Sequence, residues 1–125
     1  MLRTMTIIAC FAVAGAWARY GQTLLIQKIL GKNFPWATLS INVLGSFLMG
    51  FLFFATLERV SISPEWRTGI LTGGLGAYTT FSTFSIESLL LFENGEPVKG
   101  FLYMAVSLLL CFFAVLSGSW ISRNL

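Results

Sequence analysis

The chain has 125 residues, of which 56% are hydrophobic and 10% are charged, and its mean hydropathy is +0.80. A soluble domain of this size needs a larger polar surface than this composition supplies, and the lack of histidine excludes imidazole catalysis and most zinc sites. The net charge of +3 comes without a basic-aromatic nucleic-acid motif, so it favours contact with anionic membrane lipid over nucleic acid.

Four apolar runs reach the length of about 20 residues that a helix needs to cross a bilayer. The sequence therefore predicts an all-α membrane protein, with four transmembrane helices in a single domain over residues 1–125. The connections between the runs are short and contain turn-forming Gly, Pro, Asn or Ser. The helices are expected at about 4–29, 37–57, 68–92 and 101–121.

The first predicted helix carries one internal charge, Arg19. Two roles are open for this side chain: it attracts an anion towards a vestibule, or it anchors the helix by pairing with helix-terminal carbonyls. The same run has features of a secretory signal, with Arg3 before an apolar stretch. A retained helix is favoured, because the apolar pattern resumes after Arg19 and three further runs follow.

The second predicted helix has a polar stripe on one face. Thr38, Asn42 and Ser46 are spaced at i, i+4 and i+8, and Gly50 extends the stripe. Ser46 and Gly50 also fit the small-xxx-small pattern that lets membrane helices approach closely. The stripe is therefore either a packing seam, with Asn42 bonded to a neighbouring helix, or part of a polar pathway.

The third predicted helix contains the unusual stretch GGLGAYTTFSTFSIE, residues 73–87. Gly73, Gly74 and Gly76 each weaken a helix by roughly 1 kcal/mol relative to alanine, so a break is expected near 73–79. A break at membrane depth frees backbone carbonyls, which side chains, ordered water or a small cation can satisfy.

Beyond the expected break, hydroxyls and aromatic rings share one helix face. Thr80, Thr83, Phe84 and Glu87 follow a helical spacing, and Phe81 precedes Phe84 by three residues. A phenyl ring has a positive edge, so a ring turned edge-on attracts an anion weakly. Weak attraction suits conduction, because an ion must leave its sites easily. Ordinary core packing of both rings is the alternative.

Glu87 is the one acid inside the predicted spans. Ionisable groups in a membrane are costly and mark function by default. Three roles are open: a protonated donor of a hydrogen bond, a group that couples proton movement, or a side chain that reaches water near the helix end.

The fourth predicted helix repeats the polar stripe, with Tyr103, Ser107 and Cys111 at steps of four residues. Contact between helices explains such a stripe as well as a polar pathway does.

The basic residues give almost no orientation to the chain, because both sides receive similar numbers. A bundle of four helices also encloses too little volume to shield a polar pathway alone. The charge count favours dual insertion, although an excess of one charge and the N-terminal amine can also set a single orientation. The small volume favours an oligomer, and if both orientations coexist the simple closed form is an antiparallel homodimer with a two-fold axis in the membrane plane. The N-terminal side receives Arg3, Arg59, Arg67 and Arg123, and the opposite side receives Lys28, Lys32 and Lys99.

Three stretches resemble the signature segments of the Fluc, or CrcB, family of fluoride channels: GAWARY (15–20), TLSINVLGSFLMG (38–50) and GGLGAYTTFSTFSIE (73–87). Length, helix number and motif order extend the resemblance over the whole chain. The resemblance implies an antiparallel, dual-topology homodimer with two pores in the bacterial inner membrane. Such a protein is not an enzyme, and it exports fluoride passively to relieve fluoride toxicity.

The resemblance also implies residue roles. Phe81 and Phe84 match the paired pore phenylalanines whose ring edges face the ion, Asn42 matches a vestibule asparagine, and Arg19 matches an arginine of the first helix. The polar track of the family is matched by Thr38, Ser82, Thr83, Glu87, Tyr103 and Ser107.

The resemblance further implies a structural sodium ion at the dimer centre, which would explain the helix break. Gly76 and Thr79 match the residues whose backbone carbonyls hold this ion. Tyr78 departs from the family pattern, in which a smaller or aliphatic residue lies beside the sodium site.

Two alternatives belong to other functional classes. A proton-coupled exporter of the small multidrug type is also a short, dual-topology dimer, but its pattern places an acid in the first helix, where this chain has none. A structural subunit of a larger membrane complex would show polar stripes without the cluster of hydroxyls and phenyl rings.

Overall fold

The computed structural model describes residues 1–125 and is helical throughout, with no β-strand. The first two helices are α1, Leu2–Leu30, and α2, Trp36–Glu58, and the last is α6, Pro97–Asn124. All three run slightly beyond their predicted bounds. For α6 the reason is Pro97, whose fixed φ and missing N–H suit the first turn of a helix.

The predicted third helix is divided into several pieces. These are α3, Pro64–Thr68, a π-helix, Gly69–Leu75, α4, Gly76–Tyr78, and α5, Phe81–Glu93. The chain leaves helical geometry after Tyr78, where Thr79 has ψ 161° and Thr80 has φ −153° and ψ 118°. The interruption therefore lies at the C-terminal edge of the predicted break, beyond the glycines.

The glycines at the start of the predicted break allow close approach of helices. A Cβ at Gly73 would lie 2.5 Å from the Ile8 carbonyl oxygen, and a Cβ at Gly15 would lie 2.2 Å from the Gly74 carbonyl oxygen. Both distances are far below van der Waals contact, so the backbones of α1 and the π-helix can touch only because these residues lack side chains.

Two helices, α2 and α6, are long and apolar enough to cross a membrane, with mean hydropathies of 1.8 and 2.2. Helix α1 is long but less apolar, since Arg19 lies within it. The third predicted span is apolar but divided, so none of its pieces reaches the length of a bilayer. The chain is therefore an all-helical protein with helices suited to a membrane.

A small-residue seam joins α2 to α6. A Cβ at Gly50 would lie 2.2 Å from the Val115 carbonyl oxygen, and a Cβ at Gly118 would lie 2.2 Å from the Phe47 carbonyl oxygen. The packing interpretation of Gly50 is confirmed by this contact. The apolar core lies on either side of α2 in two clusters: Leu39, Phe84, Leu91 and Tyr103, and Ile41, Leu71, Leu75 and Tyr78.

We expect Gly118→Ala to lower the thermal unfolding midpoint of the purified protein, because the added methyl group meets the Phe47 carbonyl and forces the two helices apart. Overpacking of this kind costs about 1–3 kcal/mol. Gly21→Ala is the matched control, since no atom lies within 4 Å of its Cβ position and alanine favours a helix by roughly 1 kcal/mol. Equal thermal unfolding midpoints for the two variants would contradict close packing of α2 against α6 at Gly118.

Candidate functional site

Asn42 of α2 bonds both backbone polar groups of Thr80 at the helix interruption. Its Nδ2 donates to the Thr80 carbonyl oxygen at 3.0 Å, and its Oδ1 accepts from the Thr80 N–H at 2.8 Å. The Asn42 Oδ1 thus replaces the carbonyl that would accept from the Thr80 N–H in a continuous helix. The Nδ2 adds a second donor to the Thr80 carbonyl, which, as that of the N-cap residue of α5, also begins the ladder of that helix. Gly45, one turn further along α2, makes room for the interruption, since a Cβ there would lie 2.1 Å from Thr79 Cγ2.

Helix α5 begins directly after the interruption and is capped by Thr80. The Thr80 Oγ1 accepts from the Thr83 N–H at 3.2 Å and donates to the Thr83 Oγ1 at 3.0 Å, and the Ser82 Oγ lies 3.5 Å from it. This is the N-cap arrangement that favours a threonine. Three of the predicted polar residues therefore gather at the positive end of one helix.

A cavity of about 470 Å³ lies between the interruption, α2 and α6. No charged side chain lines it, and its polar atoms come from both helices and the interruption. Ser107 is buried in its wall, and the Ser107 Oγ has no hydrogen-bond partner in the chain. The residues that line it include Asn42, Ser46, Thr79, Thr80, Phe81, Phe84, Ser107 and Cys111.

The two phenylalanines differ in their surroundings. Their ring centroids are 5.5 Å apart with planes tilted by 47°. Phe84 is 8% exposed and packs against the Tyr103 ring, whose centroid is 5.1 Å away. Phe81 is 74% exposed and reaches out of the single chain. Phe84 is therefore a core residue, as the packing alternative expects, and it also lines the cavity. Core packing within the chain does not explain Phe81.

Glu87 forms a second polar group, separate from the cavity. The Thr38 Oγ1 donates to Glu87 Oε1 at 2.8 Å, and the Tyr103 hydroxyl donates to Glu87 Oε2 at 2.7 Å. None of these three residues lines the cavity. The Thr38 and Tyr103 hydroxyls are directed at a carboxyl group, so three members of the predicted polar track pair with each other.

Arg19 lies beside the interruption, where its Nη1 donates to the Thr79 carbonyl oxygen at 3.3 Å. Of the two roles open for Arg19, attraction of an anion and anchoring on helix-terminal carbonyls, this contact agrees with anchoring. The Gly76 carbonyl loses its usual partner, because the Thr80 N–H that would donate to it in a helix donates to Asn42 instead.

The Gly76 and Thr79 carbonyls are the candidate ligands for a small cation. No group of three or more His, Cys, Asp or Glu side chains that could hold a metal ion occurs in the chain. Backbone oxygens are suitable ligands for a hard cation, and the Gly76 carbonyl fits that role. Thr79 fits it less well, since its carbonyl already accepts from the cationic Arg19.

A hydrogen-bonded chain that the sequence did not reveal links α1, α2 and the helix before the interruption. The Tyr78 hydroxyl donates to Gln22 Oε1, and the Gln22 Nε2 donates to the Ser40 Oγ at 3.1 Å. Tyr78 therefore uses its extra size and hydroxyl to tie three elements together. The available signal was the presence of Gln22 and Ser40, two polar residues inside apolar runs.

Membrane-length apolar helices, and an uncharged cavity beside an interrupted helix, define a small helical membrane protein. The family model described as "CrcB-like protein, Camphor Resistance (CrcB)" matches residues 6–119. The chain belongs to the CrcB family.

Similar proteins carry one common name, "Fluoride-specific ion channel FluC". That of Acidithiobacillus ferrooxidans is 72% identical over 99% of both chains. That of Hahella chejuensis is 40% identical over 95% of this chain and 94% of its own. That of Geobacter sulfurreducens is 39% identical over 99% of this chain and 100% of its own.

Proposed function

We propose that this protein is a fluoride-selective channel, and not an enzyme, through which fluoride leaves the cell passively and fluoride toxicity is relieved. Membership of the CrcB family and the name of its relatives support this function. The observation that carries it is the cavity, which combines an unpartnered Ser107 hydroxyl, two phenyl rings and an interrupted helix without any charged side chain.

The chemistry of this cavity suits a small, strongly hydrated anion. Dehydrating fluoride is costly, so a pathway must offer donors in place of water. The buried Ser107 hydroxyl in the cavity wall has no acceptor within the chain, so a turn of this side chain towards the cavity supplies a donor, and the amino end of α5 adds a partial positive charge. The ring edges of Phe81 and Phe84 add weak attraction. Since no charged side chain lines the cavity, an ion that enters can also leave.

The functional unit in this proposal is an antiparallel homodimer of four-span chains in the bacterial inner membrane. The exposure of Phe81, Ser82 and Gly76 supports it, because polar and backbone groups beside the interruption would otherwise face lipid. A second copy in the opposite orientation covers this face and closes the cavity from the side. The nearly equal basic charge of the two ends is compatible with both orientations.

A structural sodium ion between the two copies is part of the proposal. The Gly76 and Thr79 carbonyls of both chains would supply its ligands, since one chain offers too few oxygens for a hard cation. The Gly76 carbonyl supports such a site, because the Thr80 N–H donates to Asn42 instead of to it. The Arg19 contact with Thr79 favours a weak site, because a neighbouring cation opposes a second positive charge.

The direct test of the proposed function is reconstitution. Purified protein in liposomes should pass fluoride but not chloride, as measured with ion-selective electrodes, and expression should rescue a fluoride-sensitive bacterial strain. Liposomes that stay tight to fluoride, or that lose chloride equally fast, would overturn the function.

Replacing Glu87 with glutamine tests the exporter alternative. We expect fluoride flux within about threefold of the original and no requirement for a pH gradient. Glutamine retains an oxygen that accepts from Thr38 or Tyr103, so the loss of stability should be near that of one hydrogen bond, about 1 kcal/mol. Proton coupling would be favoured instead if a pH gradient drove fluoride flux through the unaltered protein and Glu87→Gln abolished that flux.

A further inference from the structure

Apart from Arg19 within α1, arginine and lysine are segregated to opposite ends of the helices. Arg3 lies where α1 begins, Arg59 and Arg123 lie where α2 and α6 end, and Arg67 lies in α3. Lys28, Lys32 and Lys99 lie at the opposite end. The two cations differ chemically, since the planar guanidinium offers paired N–H donors that match a phosphate group, whereas an ammonium acts as a point charge. One end of the molecule is thus better suited to phosphate.

Three of these arginines, Arg59, Arg67 and Arg123, form an arginine cluster around the end of α2. The Arg67 guanidinium lies over the Phe53 ring, 4.5 Å from its centroid, and the Arg123 guanidinium lies over the Phe54 ring at 3.8 Å. The two rings meet edge to face with centroids 5.2 Å apart. Stacking on aromatic faces fixes the guanidinium planes while leaving N–H edges available.

The positive charge of the cluster is poorly compensated within the chain. Arg59 Nη2 donates to the Arg123 carbonyl oxygen at 3.0 Å, which is a contact to a neutral group. Arg67 Nε donates to the Thr56 Oγ1 at 3.2 Å, while Arg67 Nη2 is enclosed without an acceptor. Glu58 is the one acid that pairs with the cluster, and its Oε1 is a loose 3.7 Å from Arg123 Nε. The exposed Arg59 and Arg123 side chains are open to an anion from outside the chain, whereas the enclosed Arg67 Nη2 adds its positive charge from behind them.

The surface around the arginine cluster is apolar. Phe53, Leu57, Val60 and Trp66 are all exposed there. Tryptophan beside basic residues at the end of an apolar helix is typical of the boundary between hydrocarbon and headgroups. An anion that binds here has apolar surface beside it, which suits a lipid with acyl chains better than a free phosphate ion.

We propose that the arginine cluster binds the headgroup phosphate of an anionic phospholipid, and that Phe53, Leu57 and Trp66 contact its acyl chain. The exposed Arg59 and Arg123 guanidiniums donate charge-assisted hydrogen bonds to the phosphate, Arg67 adds electrostatic attraction, and the apolar side chains add contact area. The site lies at the end of the bundle, away from the cavity at the interruption. It is therefore independent of the ion that the protein transports.

Native mass spectrometry of the purified protein tests this site. Titration with phosphatidylglycerol should give saturable retention of the lipid, and zwitterionic phosphatidylcholine should bind at least about tenfold more weakly. Arg67→Gln should weaken phosphatidylglycerol binding by about tenfold, equivalent to roughly 1.4 kcal/mol. Lys99→Gln is the control, because it removes the same charge at the opposite end, and it should leave binding within about twofold.

Arg59→Gln serves as a second variant, since Arg59 is exposed and its loss should not disturb folding even if Arg67→Gln does. Full retention of phosphatidylglycerol by folded Arg59→Gln, or equal losses in Lys99→Gln and the arginine variants, would overturn the site. Inorganic phosphate at millimolar concentration is the competing probe. Displacement of the lipid by that probe would assign the cluster to a soluble phosphate and overturn the lipid proposal.

Discussion

Replacing Phe81 with isoleucine should reduce fluoride flux from liposomes by at least about a hundredfold, equivalent to roughly 2.7 kcal/mol in the barrier. Isoleucine preserves hydrophobic bulk but has no ring edge to attract an anion. Phe81 is 74% exposed in the chain and lies beside the cavity and the cap of α5. An ion in the cavity can therefore contact the Phe81 ring without displacing core residues, unlike the buried Phe84 ring.

Phe113→Ile is the matched control for Phe81. Phe113 is 59% exposed but does not line the cavity, so we expect its variant to retain flux within about twofold. Size-exclusion chromatography of both variants separates loss of flux from loss of assembly. Unchanged flux through Phe81→Ile, or equal loss in both variants with assembly intact, would show that the ring edge has no role.

Replacing Asn42 with aspartate should abolish flux to a similar extent and also destabilise the protein. The carboxylate retains an acceptor for the Thr80 N–H but turns an anionic oxygen towards the Thr80 carbonyl, where the Asn42 Nδ2 now donates. Losing this hydrogen bond costs about 1 kcal/mol, and the two acceptor oxygens that then face each other repel. The new negative charge also lines the cavity and repels an anion there.

Asn124→Asp repeats the same chemical change at a control position. The Asn124 Nδ2 donates to the Trp120 carbonyl oxygen at 2.7 Å, but the residue is exposed at the end of α6. We expect this variant to retain flux and to shift the thermal unfolding midpoint little. Normal fluoride flux through Asn42→Asp would mean that neither the interruption nor the uncharged cavity is needed for conduction.

Much of the site was predictable because its chemistry is local in the sequence. Asn42 and Ser46 share a helix face whatever the tertiary structure, and so do Ser107 and Cys111. Both stripes line the same cavity. The glycines predicted an irregular third helix, but they did not predict that the interruption would lie at Thr79 and Thr80. That position depends on a carboxamide from another helix.

The sequence alone determined the helical class, the approximate bounds of the helices and the polar faces, because hydrophobic run length and helical spacing are properties of consecutive residues. Only the tertiary structure decided which polar groups meet. It paired Glu87 with Thr38 and Tyr103, set Arg19 against the Thr79 carbonyl and left the Ser107 hydroxyl without a partner. Hydrogen bonds between helices depend on how each helix rotates and slides against its neighbours, and those degrees of freedom are fixed by the packing of glycines and side chains from distant parts of the chain.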